Sequence, residues 1–280
     1  MSQLSSQRMN VPLEILREIV EITFFLDYTA GPALALTCKS INQWITPLLY
    51  ASVSLDKTNV LLFIRGIESA QCGALDTGAF VKQLCIHRNA TQHCDWTLSL
   101  CKSVAHLLVC PPIRDYDMDE EITDASLWPT PWHIMVLSAL PSWILPRLAL
   151  FTHTTHLYLD NVLGPSMLLL CAKMPLTHIC FNVWADMVLT PDDSFLLEAV
   201  HFLLELPTMQ CLLIHAFYEA PLADFFGGIW SSLADIADER FIVAPGMSRD
   251  ELIEFFEEGQ TVWDNITDWK AWRQMARRQI

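Results

Sequence analysis

The chain has 280 residues, 52% of them hydrophobic and only 18% charged, against roughly 25% charged in an average soluble domain; most of it has to be buried, which excludes disorder and collagen-like repeats. Lys and Arg number 17 and Asp and Glu 32, a net charge of −15; phosphate-backbone binding needs a basic face, so the balance argues against a nucleic-acid partner. The length suits one large domain, or a small module joined to a larger one.

Met1 to Asn10 is polar, and the apolar run after it is interrupted by Glu14, Arg17, Glu18 and Glu21. No signal peptide is expected, and the chain is expected to stay intracellular, in the cytoplasm or nucleus. Asn10-Val11-Pro12 reads as a helix start, with proline near the first helical position where its missing donor costs nothing. The helix is predicted to run to about Phe24. At 100° per residue, Leu13, Ile15, Leu16, Ile19, Val20 and Ile22 share one half of its circumference, and Glu14, Arg17, Glu18 and Glu21 the other. A three-helix unit needs an apolar stripe of only ~100°, so part of this face is left for the rest of the chain or for a partner. Gly31-Pro32 reads as a break, Ala33 to Cys38 as a second helix, and Ile41, Trp44, Ile45, Leu48 and Leu49 as a third in which Pro47 limits regularity. Ala51 to Leu55 looks strand-like.

The run Val11-Pro12-Leu13-Glu14-Ile15-Leu16-Arg17-Glu18-Ile19, followed by Leu36-Thr37-Cys38-Lys39, Trp44 and Leu48-Leu49-Tyr50, resembles the F-box motif in the form common in large fungal families. The match covers residues 10 to 52. It implies an F-box-like helical module at 8–52 that docks on the Skp adaptor of a cullin-RING (SCF-type) ubiquitin ligase. It also implies that Pro12, Leu13, Ile15, Leu16, Ile19, Leu36, Cys38, Trp44 and Leu48 supply the adaptor contacts. The alternative is an ordinary helical cap whose wide apolar face is buried within the chain.

Downstream, an apolar-x-x-apolar-x-apolar pattern recurs at Val81/Leu84/Ile86, Val104/Leu107/Val109, Leu145/Leu148/Leu150, Leu176/Ile179/Phe181 and Met209/Leu212/Ile214, with Thr154/Leu157/Leu159 a near match. Its second members are spaced 23, 41, 9, 22 and 33 residues apart. Steps of 22 and 23 fall in the leucine-rich-repeat range, whereas 9 is too short to join successive parallel strands. Helices are predicted between these strands at Thr58 to Ser69, Thr91 to Lys102, Ser166 to Lys173, Asp192 to Leu206 and Leu222 to Ala237. Strand and helix alternating in one direction make a parallel sheet lined by helices. Residues 53–280 therefore resemble the irregular leucine-rich-repeat-like solenoids attached to many F-boxes, and a non-repetitive α/β domain is the alternative. The expected fold class is α/β, a three-helix F-box followed by such a solenoid.

Arg114 to Asp124 carries six acidic residues and precedes Trp128-Pro129-Thr130-Pro131-Trp132. It reads as a long solvated loop between repeats, because it lacks the glycine and later bidentate glutamate of a calcium loop. The uncharged window Ala125 to Pro146 holds Pro129, Pro131, Pro141 and Pro146, which would break a spanning helix, so no membrane segment is expected. From Trp184 to Asp268 there are 17 acidic residues against Arg240 and Arg249, a solvated acidic surface. Trp263, Ile266, Trp269, Trp272 and Met275 share a final helical stripe, expected to cap the open end of the solenoid.

The nine cysteines include no C-x-x-C pair. His93–Cys94 with Cys101, and Cys101 with Cys110, come nearest to a metal pattern, but their spacings match no zinc signature and no metal is expected. No G-x-S-x-G elbow, P-loop, G-x-G-x-x-G or H-E-x-x-H occurs. No cofactor and no catalytic residue is expected; His153 and His156 near Asp160, and His178 within a strand candidate, are read as repeat-strand histidines at solvent-facing positions rather than parts of a triad. The resemblance thus implies a non-enzymatic adaptor that holds the Skp adaptor and cullin ligase core through the F-box and a protein substrate through the solenoid. The alternative is a ligase-independent interaction scaffold.

Overall fold

The computed structural model describes residues 11–71, 76–111, 128–137, 145–160, 165–184, 193–217, 233 and 235–270. Two units separate at the end of the third helix, Met1–Ala51 and Ser52–Ile280.

In the first unit, α1 spans Leu13–Leu26, two residues beyond the expected end, with Pro12 at its N-cap and the Pro12 carbonyl accepting the Leu16 N–H at 3.0 Å. The Asp27 carboxylate then accepts the Thr29 N–H at 3.0 Å and starts the 3-10 turn Tyr28–Ala30. Gly31 and Pro32, expected to break the chain, instead form the first turn of α2, Gly31–Ala35. Proline is tolerated there because a first-turn N–H has no intrahelical acceptor. Gly31 is required by close approach: a Cβ on it would stand 2.7 Å from Leu49 Cδ2 and 2.8 Å from Phe24 Cε2. The third helix, α3, spans Lys39–Leu49 and continues through Pro47 in its last turn. Val20, Phe24 and Ile45 are fully buried, with Leu34, Ala35, Ile41, Leu48 and Leu49 packed around them.

The second unit is built on an eight-stranded sheet whose strands pair in chain order, all of them parallel. The strands are β1 Ser52–Leu55, β2 Gln83–Ile86, β3 His106–Val109, β4 His133–Val136, β5 His156–Leu159, β6 His178–Trp184, β7 Cys211–Phe217 and β8 Phe241–Pro245. Between them lie α4 Val60–Gln71, α5 Cys94–Leu100, α6 Pro165–Cys171 and α7 Asp193–Leu204, within or close to the predicted helical segments. The predicted helix Leu222 to Ala237 and the acidic stretch Arg114 to Asp124 lie largely or wholly outside the described residues.

Strand side chains alternate between faces, so one row, Leu84, Leu107, Ile134, Leu157, Ile179 and Leu212, is buried in the core shared with the helices. Three residues upstream, Val81, Val104, Pro131, Thr154, Leu176 and Met209 are buried as well. Two strands differ from expectation. Leu145 to Leu150 is not a strand: Leu145–Phe151 is a 3-10 stretch, which removes the 9-residue step. The strand in that repeat is β4, where Pro131 occupies the first apolar position of the pattern and hides it. With Ile134 in place, the spacings from Leu84 to Ile179 become 23, 27, 23 and 22 residues. The second unexpected strand is β8. The 3-10 stretch is held by Arg147, 6% exposed, whose Nε and Nη2 donate to the Asp95 carboxylate at 2.8 and 2.9 Å.

The other face of the sheet is not open. The chain after β8 forms α8, Arg249–Glu257, then a 3-10 turn Val262–Asn265 that continues as helix over residues 266–270. Leu252, Phe256, Val262 and Trp263 from this segment share a second core with Leu108, Met135, Tyr158, Cys180, Leu213 and Ile242 of the strands. Trp263 and Trp269 therefore cover the middle of the sheet face rather than capping the end of the stack, and Trp272 lies outside the described residues. Burial drives the difference, because the second face carries a full row of apolar side chains that water would otherwise meet.

Candidate functional site

Two surfaces stand out, the outer side of α1 and the covered face of the sheet. On α1 only Val20 and Phe24 are buried. Leu13, Ile15, Leu16, Ile19 and Ile22 are exposed, Leu13 at 59% and Ile19 at 52%. Phe25, Leu26 and Tyr28 continue the exposed apolar run, and Leu36 is exposed at 86%. Of the residues expected to contact a partner, Pro12, Leu13, Ile15, Leu16, Ile19, Leu36 and Cys38 are exposed, while Trp44 and Leu48 on α3 are half-buried. Leu48 packs against the small core. The wide apolar half of the helix is thus left over, since three buried side chains suffice to join it to α2 and α3. Exposed apolar side chains in this number make α1 a candidate interaction surface.

The covered sheet face holds a histidine ladder. His106, His133, His156 and His178 occupy the same register position on four successive strands, flanked by Gln83 and Cys211. His106 Nδ1 and His133 Nδ1 are 3.2 Å apart, and the His156 and His178 rings stack at 4.1 Å with planes 7° apart. Thr155 Oγ1 and Thr177 Oγ1 lie 2.8 Å from the Nδ1 atoms of the histidines that follow them. Trp132 meets His106 and His156 edge-on, Trp263 meets His156 and His178, and Phe256 lies against His133. Further along, His215 is fully buried beneath Trp269.

These histidines are therefore not the solvent-facing residues expected. His133 is fully buried, and the other three of the ladder are half-buried. Desolvation holds every one of them below the ordinary imidazole range: His156 falls to about 4, His215 to about 3, and His133 well below normal, with its histidine neighbours adding like-charge repulsion. Burial lowers His106 against the opposing pull of Asp264, and lowers His178 with a further push from Lys270. The signal was present in the sequence: a histidine directly precedes the apolar-x-apolar pair in four repeats. What concealed it was the covering segment, whose position no local pattern specifies.

The residues considered for a triad do not assemble into one. Asp160 accepts the Asn182 side-chain amide at 2.8 Å, and His153 is exposed. The described cysteines are all free thiols. Burial pushes Cys94 and Cys101 up to about 12 and Cys110 to about 11, which leaves them poor nucleophiles. Arg240 pairs with Asp238 at 2.6 Å, and Arg249 donates to the Leu137 carbonyl, so both cations of the acidic region serve the fold. Among the described residues no helix is long and apolar enough to cross a membrane. Comparison with protein-family models, with curated proteins and with solved structures finds no match to this chain.

Proposed function

We propose that this chain is a substrate-recognition adaptor of a cullin-RING ubiquitin ligase. Its N-terminal helices act as an F-box that binds a Skp adaptor, and its sheet unit acts as an irregular leucine-rich-repeat-like solenoid that holds a protein substrate. The observation that carries the reading is the uncovered apolar face of α1, where Leu13, Ile15, Leu16 and Ile19 are all exposed on the motif that resembles an F-box. Chain-order parallel strands support the repeat reading, with steps of 22 to 27 residues from β2 to β6 and longer steps on either side. The competing reading is a ligase-independent scaffold in which these helices cap the repeats. As an adaptor the protein performs no chemistry itself; it raises the effective concentration of substrate lysines near the ubiquitin carrier. Because the C-terminal segment fills one face of the sheet, substrate binds elsewhere on the repeat unit.

The test is co-expression of the full chain with a fungal Skp adaptor, beside a deletion of residues 1–55 and the double variant Leu13→Asp, Ile19→Asp. Stoichiometric capture by the full chain is expected, with loss in both variants and unchanged far-ultraviolet circular dichroism in the double variant. A folded full chain that captures no adaptor, or a double variant that unfolds, refutes the reading.

A further inference from the structure

At the β1 edge of the covered face, three different metal-ligating groups converge. Cys85 and His87 lie two residues apart, so the strand pleat turns both to the same side. The β1–β2 register sets Ser54 beside Cys85, and the His87 N–H is anchored on the Leu55 carbonyl at 2.8 Å. Glu257 arrives from the far end of the chain as the last residue of α8. Cys85 Sγ lies 3.7 Å from His87 Nε2, His87 Nε2 lies 3.5 Å from Glu257 Oε1, and all three ligand atoms fall within 4.8 Å of one another.

A hydrolytic relay does not fit this geometry. Ser54 Oγ sits 2.8 Å from His87 Nε2 but donates to Glu257 Oε1 at 2.5 Å. Serine and carboxylate thus address the same ring nitrogen, whereas a relay places the carboxylate on the opposite one. The serine proton is already committed to the carboxylate.

We propose that Cys85, His87 and Glu257 form a zinc site that clasps α8 to the edge of the sheet. Ligand atoms around a tetrahedral zinc stand roughly 3.3–3.7 Å apart, given bonds of about 2.0–2.3 Å, and two of the separations on the page already have that size. One thiolate, one imidazole and one carboxylate suit zinc; magnesium and calcium demand oxygen donors in larger number. An independent electrostatic argument comes from the helix. The last turn of α8 carries Glu254 and Glu257 with Glu258 at its C-cap and no basic residue, so carboxylates crowd the negative end of the helix dipole. A divalent cation there offsets both. Binding releases the Cys85 thiol proton to solvent, and water beside Ser54 takes the fourth position. Cys85 is buried while His87 and Glu257 are 30% and 42% exposed, which leaves an entry path from one side. The neighbouring Phe256 packs on His133, and its carbonyl accepts the Gln83 side-chain amide, so the ion fixes the segment that covers the sheet.

The experiment uses the full chain, stripped with a chelator and titrated with Zn²⁺ and, as a spectroscopic probe, with Co²⁺. One Zn²⁺ per chain is expected, with a higher melting temperature. Co²⁺ is expected to give a thiolate-to-cobalt charge-transfer band and the visible bands of a tetrahedral site. Cys85→Ser removes the charge-transfer band. Glu257→Gln, at an exposed position that leaves the metal-free fold intact, weakens Zn²⁺ binding by more than tenfold, since even an outer-shell partner is worth roughly 10–100-fold. Absence of the thiolate band in the wild-type chain, its persistence in Cys85→Ser, or unchanged Zn²⁺ affinity in Glu257→Gln overturns the site.

Discussion

Imidazoles stacked across neighbouring strands make stability depend on pH in a direction set by burial. In the folded unit His156 titrates at about 4 and His215 at about 3, whereas an unfolded chain protonates its histidines near ~6.5. The unfolded state therefore binds more protons between those values, and stability is full above pH ~6.5 and lost as pH falls through the folded values. Stacking His156 on His178 at 4.1 Å adds to the loss, because two protonated rings at that distance repel. Thermal melts are expected to be flat from pH 8 to 7 and to fall steadily toward pH 4. His215→Leu, which removes one buried group with both ring nitrogens unpartnered, flattens that slope; a slope identical to the wild type would refute the assignment. At this scale the sequence is partly legible. The histidines are visible before the apolar pairs, but whether they face water or Trp263 depends on residues about 80 to 160 positions away.

The covering segment carries its own start and stop signals, which work without repeat periodicity. Helix α8 begins at a capping box in which Ser248 Oγ accepts the Glu251 N–H at 3.2 Å and Glu251 accepts the Ser248 N–H at 2.6 Å. It ends where Gly259, at φ 78°, lets the Gly259 and Gln260 N–H groups bond back to the Phe256 and Phe255 carbonyls at 3.0 and 3.1 Å. Only glycine takes that backbone conformation at no steric cost. Ser248→Ala is expected to cost about 1 kcal/mol in chemical denaturation. An unchanged midpoint would mean that packing of Leu252 and Phe256 alone sets the helix start. Segments at or near α1 and α3 to α7 were expected from the sequence, whereas α8 was not among the predicted helices, although Ser248-x-x-Glu251 before Leu252 is its start signal. Strand β4 was not expected either, because His133-Ile134-Met135-Val136 follows a proline where the other repeats place an aliphatic residue or threonine, and Leu145 to Leu150 mimicked the pattern at the wrong place.

Across the whole sheet unit, two apolar faces of one sheet are closed by different means, the first by helices between the strands and the second by residues 247–269. Deleting residues 247–280 uncovers Leu108, Met135, Tyr158 and Leu213, all now buried. The truncated chain is expected to bind a hydrophobic dye, to aggregate and to melt earlier than the full chain. A monodisperse truncated protein with an unchanged melting temperature would show that the segment is dispensable.

Composition and periodicity alone determined that this is an acidic α/β chain with an amphipathic N-terminal helix and repeated strand-helix units, because those properties are local and each residue reports its own face. That both faces of the sheet are covered, whether the histidines are wet or dry, and that Glu257 meets Cys85 and His87 were decided only by tertiary structure. The reason is physical: the segment that settles all three packs by burying apolar area against residues far away in the chain, and burial of that kind has no period to read.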